Sequence, residues 1–405
     1  MLNRIWLALL VLSLASATVQ AVALGNPGAF ADVTAAAFDM AKTAFEISLG
    51  LTGVMALWLG FMKLGEAGGL VDLLARAFAP LLRRLFPSVP AGHPAEGAIV
   101  MNMAANALGL DNAATPLGLK AMRELQTLNP SPDTASDDQI LFLVINTSSV
   151  TLLPVTVFAY RAQMGAADPT DVFLPILIAT FCSTLAGLLV TAAVQRRNLF
   201  QPVVLGYLGA MTAVVAGLTV WFAGMAQGQV EAASSLIANV LLAGVMVGFA
   251  VAAARKGAPV YETFVDGAKD GFQVAVGIIP YLVAMLVAVG MLRASGALDL
   301  ALDGVRALAG DHAWVDALPT ALMKPLSGSG ARGMLIETMQ VHGADSLAGR
   351  IASIMQGSTE TTFYVLAVYF GSVGIRRTRY AAPCGLAADL AGLTAAILIG
   401  TLFFT

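Results

Sequence analysis

Apolar residues along the chain gather into nine long runs that short polar segments separate. Each run is close to the roughly 20 apolar residues that a helix needs to cross a bilayer. The predicted spans are residues 5–24, 44–62, 140–160, 172–194, 203–223, 236–254, 274–292, 351–373 and 383–404. Two further stretches, 67–87 and 297–310, are amphipathic, and we expect them to lie on the membrane surface.

The first run admits two interpretations. Arg4, the apolar run and the small residues Ala17, Ala21 and Ala23 fit a cleavable signal peptide as well as a transmembrane helix. We favour a retained helix.

The composition favours a membrane protein. Hydrophobic residues make up 58% of the chain and charged residues 12%, whereas an average soluble domain carries about 25% charge. The net charge of −3 has no basic excess, so nucleic acid is not an expected partner. With two cysteines in apolar runs and three histidines without ligand spacing, we predict neither a metal site nor another cofactor.

Clusters of basic residues predict the orientation, because cytoplasmic loops are enriched in Lys and Arg. With the N-terminus inside, all four clusters face the cytoplasm, and segments 25–43 and 226–235 face out. Arg161 and Arg293 lie outside these clusters and do not follow the predicted cytoplasmic placement. We therefore predict a multi-pass protein of the bacterial inner (plasma) membrane with a cytoplasmic N-terminus. The clusters are Lys63 with Arg83 and Arg84, Arg196 with Arg197, Arg255 with Lys256, and Arg376 with Arg377 and Arg379.

The two halves of the chain resemble each other. Residues 41–50 match 268–277 at an offset of 227, Ser148 and Thr151 match Ser358 and Thr361 at 210, and residues 185–188 match 390–393 at 205. The matches keep the same order. Four spans return the chain to its starting side, and the extra span 203–223 then inverts the second copy. We predict domains at 1–197 and 235–405, joined by a helix and loop at 198–234.

Residues 101–116 interrupt the apolar pattern in the first half. They read as two short helices joined at 109–112, with Asp111 or Asn112 as the cap of the second helix and Thr115 in its first turn. We favour a re-entrant hairpin over a cytoplasmic helix pair. Such backbone is tolerated at membrane depth only beside protein or a wet cavity.

Residues 324–333 are the counterpart in the second half. Serines and glycines expose backbone N–H groups before a helix that is expected to start near Ala331, and Lys324 and Arg332 add positive charge. An anion site is favoured over a flexible loop with solvated cations. The spacing is not that of a phosphate-binding P-loop.

Residues 146–151 contain five polar residues and residues 356–362 contain six, inside two predicted spans. Single Ser and Thr residues bond to their own helix, so these runs predict unwound stretches that line a path. Glu360 is costly at membrane depth and functional by default. It is either a proton carrier or the buried partner of Lys324 or Arg332, and Asp389 in the last span is a second coupling candidate.

The candidate solute-binding residues share polar side chains within these four segments. They are Asn102, Asn106, Asp111, Asn112, Thr115, Asn146, Thr147, Ser148, Ser149, Lys324, Ser327, Ser329, Arg332, Gln356, Ser358, Thr359 and Thr361.

Longer motifs carry a resemblance to a known family. The first half resembles spore maturation protein A at residues 56–60, 106–122 and 146–149, and the second half resembles spore maturation protein B. The matching stretches of the second half are 259–267, 279–283, 293–299 and 355–369. The chain is thus similar to a fusion of two proteins over residues 1–197 and 235–404. Arg332 departs from the B pattern by adding a charge.

This resemblance implies the Gate-domain, or nucleoside-recognition, superfamily. Concentrative nucleoside transporters and the membrane part of the ferrous-iron transporter B belong to it, so the resemblance implies transport without naming a solute.

Together, these features predict an all-α polytopic membrane protein. It has two inverted repeats of four transmembrane helices plus a re-entrant helical hairpin each, with one extra helix between them. We expect no enzyme but a secondary transporter or gated permease for a small polar, anionic solute, coupled to protons or cations. The expected partners are that solute and membrane lipids, with a homo-oligomer left open.

Two alternatives stay open. A divalent-metal permease would use Asp111, Glu360 and Asp389, although these motifs hold no Cys, Met or His cluster. A non-transporting scaffold acting in envelope or spore maturation would need a large soluble surface.

Overall fold

Helices connected by loops make up the part of the chain that is described. The computed structural model describes residues 2–108, 111–223 and 227–405. All regular elements in these ranges are helices, which confirms the predicted all-α class.

The helices fall into two series of eight with one helix between them. The first series, α1 to α8, is Leu2–Ala23, Ala29–Ala67, Leu70–Leu85, Pro94–Ala107, Asp111–Thr127, Asp137–Thr147, Val155–Gln163 and Phe173–Gln195. Helix α9 is Pro202–Ala223. The second series, α10 to α17, is Gln227–Arg255, Val260–Ala294, Ala297–Ala309, Leu318–Met323, Gly328–His342, Leu347–Ser358, Thr362–Ser372 and Ala381–Phe404.

Seven of the described helices are long and apolar enough to cross a membrane. They are α1, α2, α8, α9, α10, α11 and α17, and they correspond to seven of the nine predicted spans. The two other predicted spans, 140–160 and 351–373, are each divided into two short helices, α6 with α7 and α15 with α16. The chain is therefore a multi-pass membrane protein in which two spans are broken.

Helices α2 and α11 are much longer than predicted. They contain 39 and 35 residues, which at 1.5 Å per residue is about 50 to 60 Å, well beyond a hydrocarbon core of about 30 Å. Helix α2 begins at Ala29 and so includes most of segment 25–43, which lay outside the predicted span 44–62. That this segment faces out stays a prediction. Four alanines between residues 35 and 41 explain the extension, since alanine has the highest helix propensity.

The two amphipathic stretches form helices, as expected. Helices α3 and α12 are each preceded by a glycine in the left-handed region, Gly69 at φ 78° and Gly296 at φ 67°. Glycine adopts this conformation without a steric penalty, so the chain can change direction sharply after α2 and after α11. Their position on the membrane surface stays a prediction.

The order of elements in α1–α8 repeats in α10–α17. In both series, a long helix, a left-handed glycine and an amphipathic helix are followed by a helical pair, a broken helix and an unbroken one. A serine caps the start of each broken helix, since Ser136 Oγ accepts from Gln139 N and Ser346 Oγ accepts from Gly349 N. The proposed limits 1–197, 198–234 and 235–405 stay a prediction.

Glycines allow α2 and α11 to pack closely. A Cβ atom placed on Gly271 would lie 2.5 Å from the carbonyl oxygen of Met55, and one on Gly267 would lie 2.4 Å from that of Leu59. Both contacts are with backbone, which cannot rotate away. Small residues at helix interfaces are the usual means of close approach in membranes, and here they bring the two halves into contact.

We expect Gly271→Ala to lower the stability of the protein by about 1–3 kcal/mol, because overpacking forces backbone shifts. The measurement is the thermal unfolding midpoint of the purified protein in detergent. Gly277→Ala is the matched control on the same helix, because its Cβ would meet nothing within 4 Å. Equal midpoints for the two variants would contradict the close contact.

Candidate functional site

The break in the first half lies where the polar run predicted it. Helix α6 ends at Thr147 and α7 begins at Val155. The intervening backbone is bonded to the end of α4, since Leu152 N donates to the carbonyl oxygen of Ala107 at 2.8 Å. The predicted unwound stretch is therefore present and rests against the end of α4.

The break in the second half is its counterpart. Helix α15 ends at Ser358 and α16 begins at Thr362. Phe363 N donates to the carbonyl oxygen of Pro325 at 3.0 Å, and Pro325 lies between α13 and α14. Each break is thus bonded to the helical pair of its own half in the same manner.

The two breaks also bond to each other. Glu360 N donates to the carbonyl oxygen of Thr147 at 2.7 Å, and Thr147 Oγ1 donates to Thr362 Oγ1 at 3.2 Å. Thr362 Oγ1 in turn donates to Asp389 Oδ2 at 2.6 Å. This hydroxyl relay joins the first half, the second half and the last helix.

Asp389 is nearly inaccessible, with 1% of its surface exposed. Its Oδ1 atom has no hydrogen-bond partner among the described residues. The hydroxyl of Thr359 and the charges of Lys324 and Glu360 lie nearby. A buried carboxyl with a free oxygen beside charged groups is suited to bind or release a cation or a proton.

The first helical pair, α4 and α5, is fixed by asparagines. Asn102 Nδ2 donates to the carbonyl oxygen of Ala114 at 2.8 Å, which joins the two helices. Asn106 Nδ2 donates to Asn146 Oδ1 at 2.8 Å, which joins the pair to the broken helix. Helix α5 begins at Asp111, but the side chains of Asp111 and Asn112 and the joining residues 109–110 lie outside the described part of the structure.

The second helical pair differs from its prediction at one point. Helix α14 begins at Gly328 rather than near Ala331. Ser327 Oγ accepts from Gly330 N at 3.0 Å and so caps the helix three residues earlier than expected. A serine with extended backbone is among the best N-cap residues, and the following glycines tolerate the first helical turn.

One cavity of about 160 Å³ unites the four segments. Its walls come from α4, from both breaks and from the second helical pair. The polar and charged residues that line it are Asn106, Ser149, Thr151, Thr156, Lys324, Arg332, Gln356, Thr359 and Glu360. The structure therefore brings six predicted solute-binding residues together with the predicted coupling residue Glu360.

The cavity has opposite charges on its walls. Lys324 is 3% exposed, while Arg332 is half-buried and its Nε donates to the carbonyl oxygen of Gly328 at 3.1 Å. Glu360 lies in the loop between α15 and α16, within the unwound stretch that the polar run 356–362 predicted, and its side chain is exposed. Two cations and one carboxylate thus face a shared space.

The other predicted site residues that the structure describes lie behind the cavity wall. Some bond to their own helical turn, as Ser148 Oγ does to Val144 O and Ser358 Oγ does to Met355 O, and Ser329 Oγ pairs with Ser327 Oγ at 3.2 Å. Periodicity alone cannot separate these polar groups from those that face the cavity. The set outside the lining is Asn102, Thr115, Asn146, Thr147, Ser148, Ser327, Ser329, Ser358, Thr361 and Asp389.

A buried ion network between the halves was not predicted. Arg161 has no exposed surface, and its Nη2 atom lies 2.8 Å from Asp171 Oδ1 and 3.1 Å from Asp345 Oδ1. Arg350 Nε donates to Asp171 Oδ2 at 2.9 Å. Burial raises the pKa of Asp171, because desolvation outweighs the attraction of the two arginines.

Both arginines that lay outside the predicted basic clusters are paired with carboxylates inside the protein. Arg161 is neutralised inside the protein, and Arg293 is paired with Glu337, which is 4% exposed, and with Asp299 at 3.0 Å. An arginine that is paired within the fold does not act as a free loop charge. The presence of each arginine outside the basic clusters was the available signal, but no local pattern marks which carboxylates are its partners.

No group of three or more His, Cys, Asp or Glu side chains in the described ranges is placed to hold a metal ion.

The fold and the site define a polytopic helical membrane protein whose two broken helices enclose a polar cavity. The model of the Gate family, described as nucleoside recognition, matches residues 48–164 and 275–376, more than half of the chain. The chain therefore belongs to the Gate family, with one matched stretch in each half.

Two curated relatives match separate shares of the chain. Spore maturation protein A of Bacillus subtilis (strain 168) is 42% identical over 190 residues, which is 47% of this chain and 93% of the relative. Spore maturation protein B of the same organism is 47% identical over 170 residues, 42% of this chain and 90% of the relative. The predicted resemblance to both proteins is confirmed. No solved structure gives a significant match.

Removal of Arg161 should be strongly destabilising, because Asp171 would lose a fully buried partner. Breaking such a pair costs about 3–5 kcal/mol. We expect Arg161→Ala to lower the thermal unfolding midpoint clearly in detergent. Arg377→Ala serves as the control, since Arg377 is 76% exposed and its pair with Asp133 is 3.9 Å long, a geometry worth little. Similar losses in both variants would refute the special role of the buried network.

Proposed function

We propose that the protein is a secondary transporter or gated permease, not an enzyme, for a small polar solute with an anionic group. The observation that carries this proposal is the shared cavity, in which the unwound stretches of both halves meet. Substrate sites of secondary transporters lie near the bilayer midplane between repeats and are built from discontinuous helices. Solute and membrane lipids are the proposed partners, and the bacterial inner membrane is the proposed location.

An inverted relation between the halves supports transport. The chain crosses at α1, α2, the broken pair α6–α7, α8 and α9 before α10 begins. An odd number of crossings would place α10 on the opposite side from α1, with the N-terminus cytoplasmic in our proposal. The helical pairs α4–α5 and α13–α14 would then be re-entrant hairpins that enter from opposite sides.

Contacts at the beginning of each broken helix fit the same inverted relation between the halves. The loop after α7 contributes Asp171, which meets Arg350 of α15, while the loop after α16 contributes Arg379, which meets Asp137 of α6 at 2.7 Å. Each loop thus binds the beginning of the broken helix from the other half. Alternate opening of these two contacts would expose the cavity to one side of the membrane at a time.

Glu360 and Asp389 are the carboxyls that we propose for coupling. Glu360 lines the cavity, and Asp389 lies behind it at the end of the hydroxyl relay. A carboxyl at membrane depth costs about 2.5–3.5 kcal/mol on insertion scales, which favours a functional role. The relatives' names place them in spore maturation, a process in which movement of small solutes across a membrane would be compatible with this proposal.

We predict that Glu360→Gln abolishes the pH dependence of flux, because glutamine cannot exchange a proton. A thermal-shift screen against nucleosides, dicarboxylates, amino acids and metals first identifies a solute, since ligands stabilise the folded state. Proteoliposome flux of that solute is then measured across pH. Glu262→Gln, at an exposed glutamate of α11, is the control. A pH profile of Glu360→Gln that matches the wild type would remove the coupling role.

The double substitution Lys324→Ala with Arg332→Ala should weaken anion binding selectively. Hydrogen bonds to charged groups contribute about 1.5–3 kcal/mol, so we expect a loss of about tenfold or more in affinity. Binding of an anionic and a neutral solute is compared by thermal shift. Equal loss for both solutes would indicate misfolding rather than a lost anion site.

A further inference from the structure

The cavity carries acceptors as well as cations, and this combination narrows the class of solute. We propose that it binds a small zwitterion, with a carboxylate and an ammonium group, of the size of a small α-amino acid. The inference rests on the proposed transport function and names its substrate class.

One wall of the cavity is suited to a carboxylate. Lys324 and Arg332 line it, and so does Gly328, the first residue of the 15-residue helix α14. The first turn of a helix presents unpaired N–H groups and a partial positive charge. Two side-chain cations beside this helix start form a donor set that would bind the oxygens of a carboxylate.

The lining of the cavity also contains acceptors. Gln356 is 9% exposed, and its Oε1 atom has no hydrogen-bond partner among the described residues. Glu360, four residues after Gln356, adds a carboxylate to the same lining. A buried acceptor without a donor is energetically costly. We therefore infer that the solute supplies the donor to Gln356 Oε1.

A simple anion would satisfy only half of this arrangement. It would bind Lys324 and Arg332, but it would be repelled by Glu360 and would leave Gln356 Oε1 unpaired. An ammonium group on the same solute would donate to both Glu360 and Gln356.

The size of the cavity is compatible with the same class. Its volume of about 160 Å³ is below the about 300–1,000 Å³ of sites for drug-sized ligands. This difference favours a small solute over a nucleoside.

Four matched probes test the proposal on the full-length protein in detergent. L-Alanine carries both charged groups, propionate lacks the ammonium, ethylamine lacks the carboxylate, and adenosine tests size. We expect L-alanine to bind about tenfold or more tightly than propionate or ethylamine. It alone can bind both the cations, through its carboxylate, and the acceptors, through its ammonium group. Adenosine should give no thermal shift.

Substitution of Glu360 should move two affinities in opposite directions. Glu360→Gln should bind L-alanine about tenfold more weakly but propionate more tightly, because the like charge is gone. Misfolding cannot produce this reversal. Arg332→Gln should weaken both probes, and Glu262→Gln should bind both as the wild type does.

The results separate this inference from the transport proposal. If propionate binds and is transported into proteoliposomes while L-alanine binds no better, the zwitterion assignment is overturned and the transport function stands. If adenosine stabilises the protein more than L-alanine does, the size argument is overturned. If none of the screened solutes crosses the membrane, the proposed function itself is overturned.

Discussion

The hydrogen bond from Glu360 N to the carbonyl oxygen of Thr147 is the interaction on which the rest of the structure depends. Two helices are broken inside predicted spans, and each break frees backbone groups that lipid could not satisfy. Here the broken helix of one half supplies the partner for the other, and Leu152 N and Phe363 N are satisfied by the neighbouring helical pairs. The breaks are therefore stable only when the two halves are assembled, and the polar cavity is a consequence of that assembly.

Close packing and buried charge hold this assembly in place. Gly267 and Gly271 let the backbones of α2 and α11 come into direct contact. Where α8 meets α17, Ser183 Oγ donates to the carbonyl oxygen of Ala388. At one end, Arg161 binds carboxylates from both halves. These contacts fix the relative positions of the walls, so the geometry of the cavity depends on residues that never reach it.

The sequence predicted the features that local patterns determine. Apolar runs of sufficient length predicted the spans, and the polar run 146–151 predicted the break, because several adjacent polar residues cannot all bond back to one helix. It could not predict which polar groups face the cavity, since Ser149 does and Ser148 instead bonds to Val144 O. The partners of Arg161 also escaped prediction, because Asp171 and Asp345 lie in loops of different halves and no local pattern marks their approach to Arg161.

The central claim is that stretches from both halves line one water-filled cavity. Reaction of single cysteines with a membrane-impermeant thiol reagent tests it most directly, in a background with Cys182→Ala and Cys384→Ala. We expect Thr151→Cys and Glu360→Cys to react, as their side chains line the cavity, while Leu398→Cys, on the exposed face of α17, stays unreactive in the lipid. Unreactive cysteines at both 151 and 360 would contradict the account.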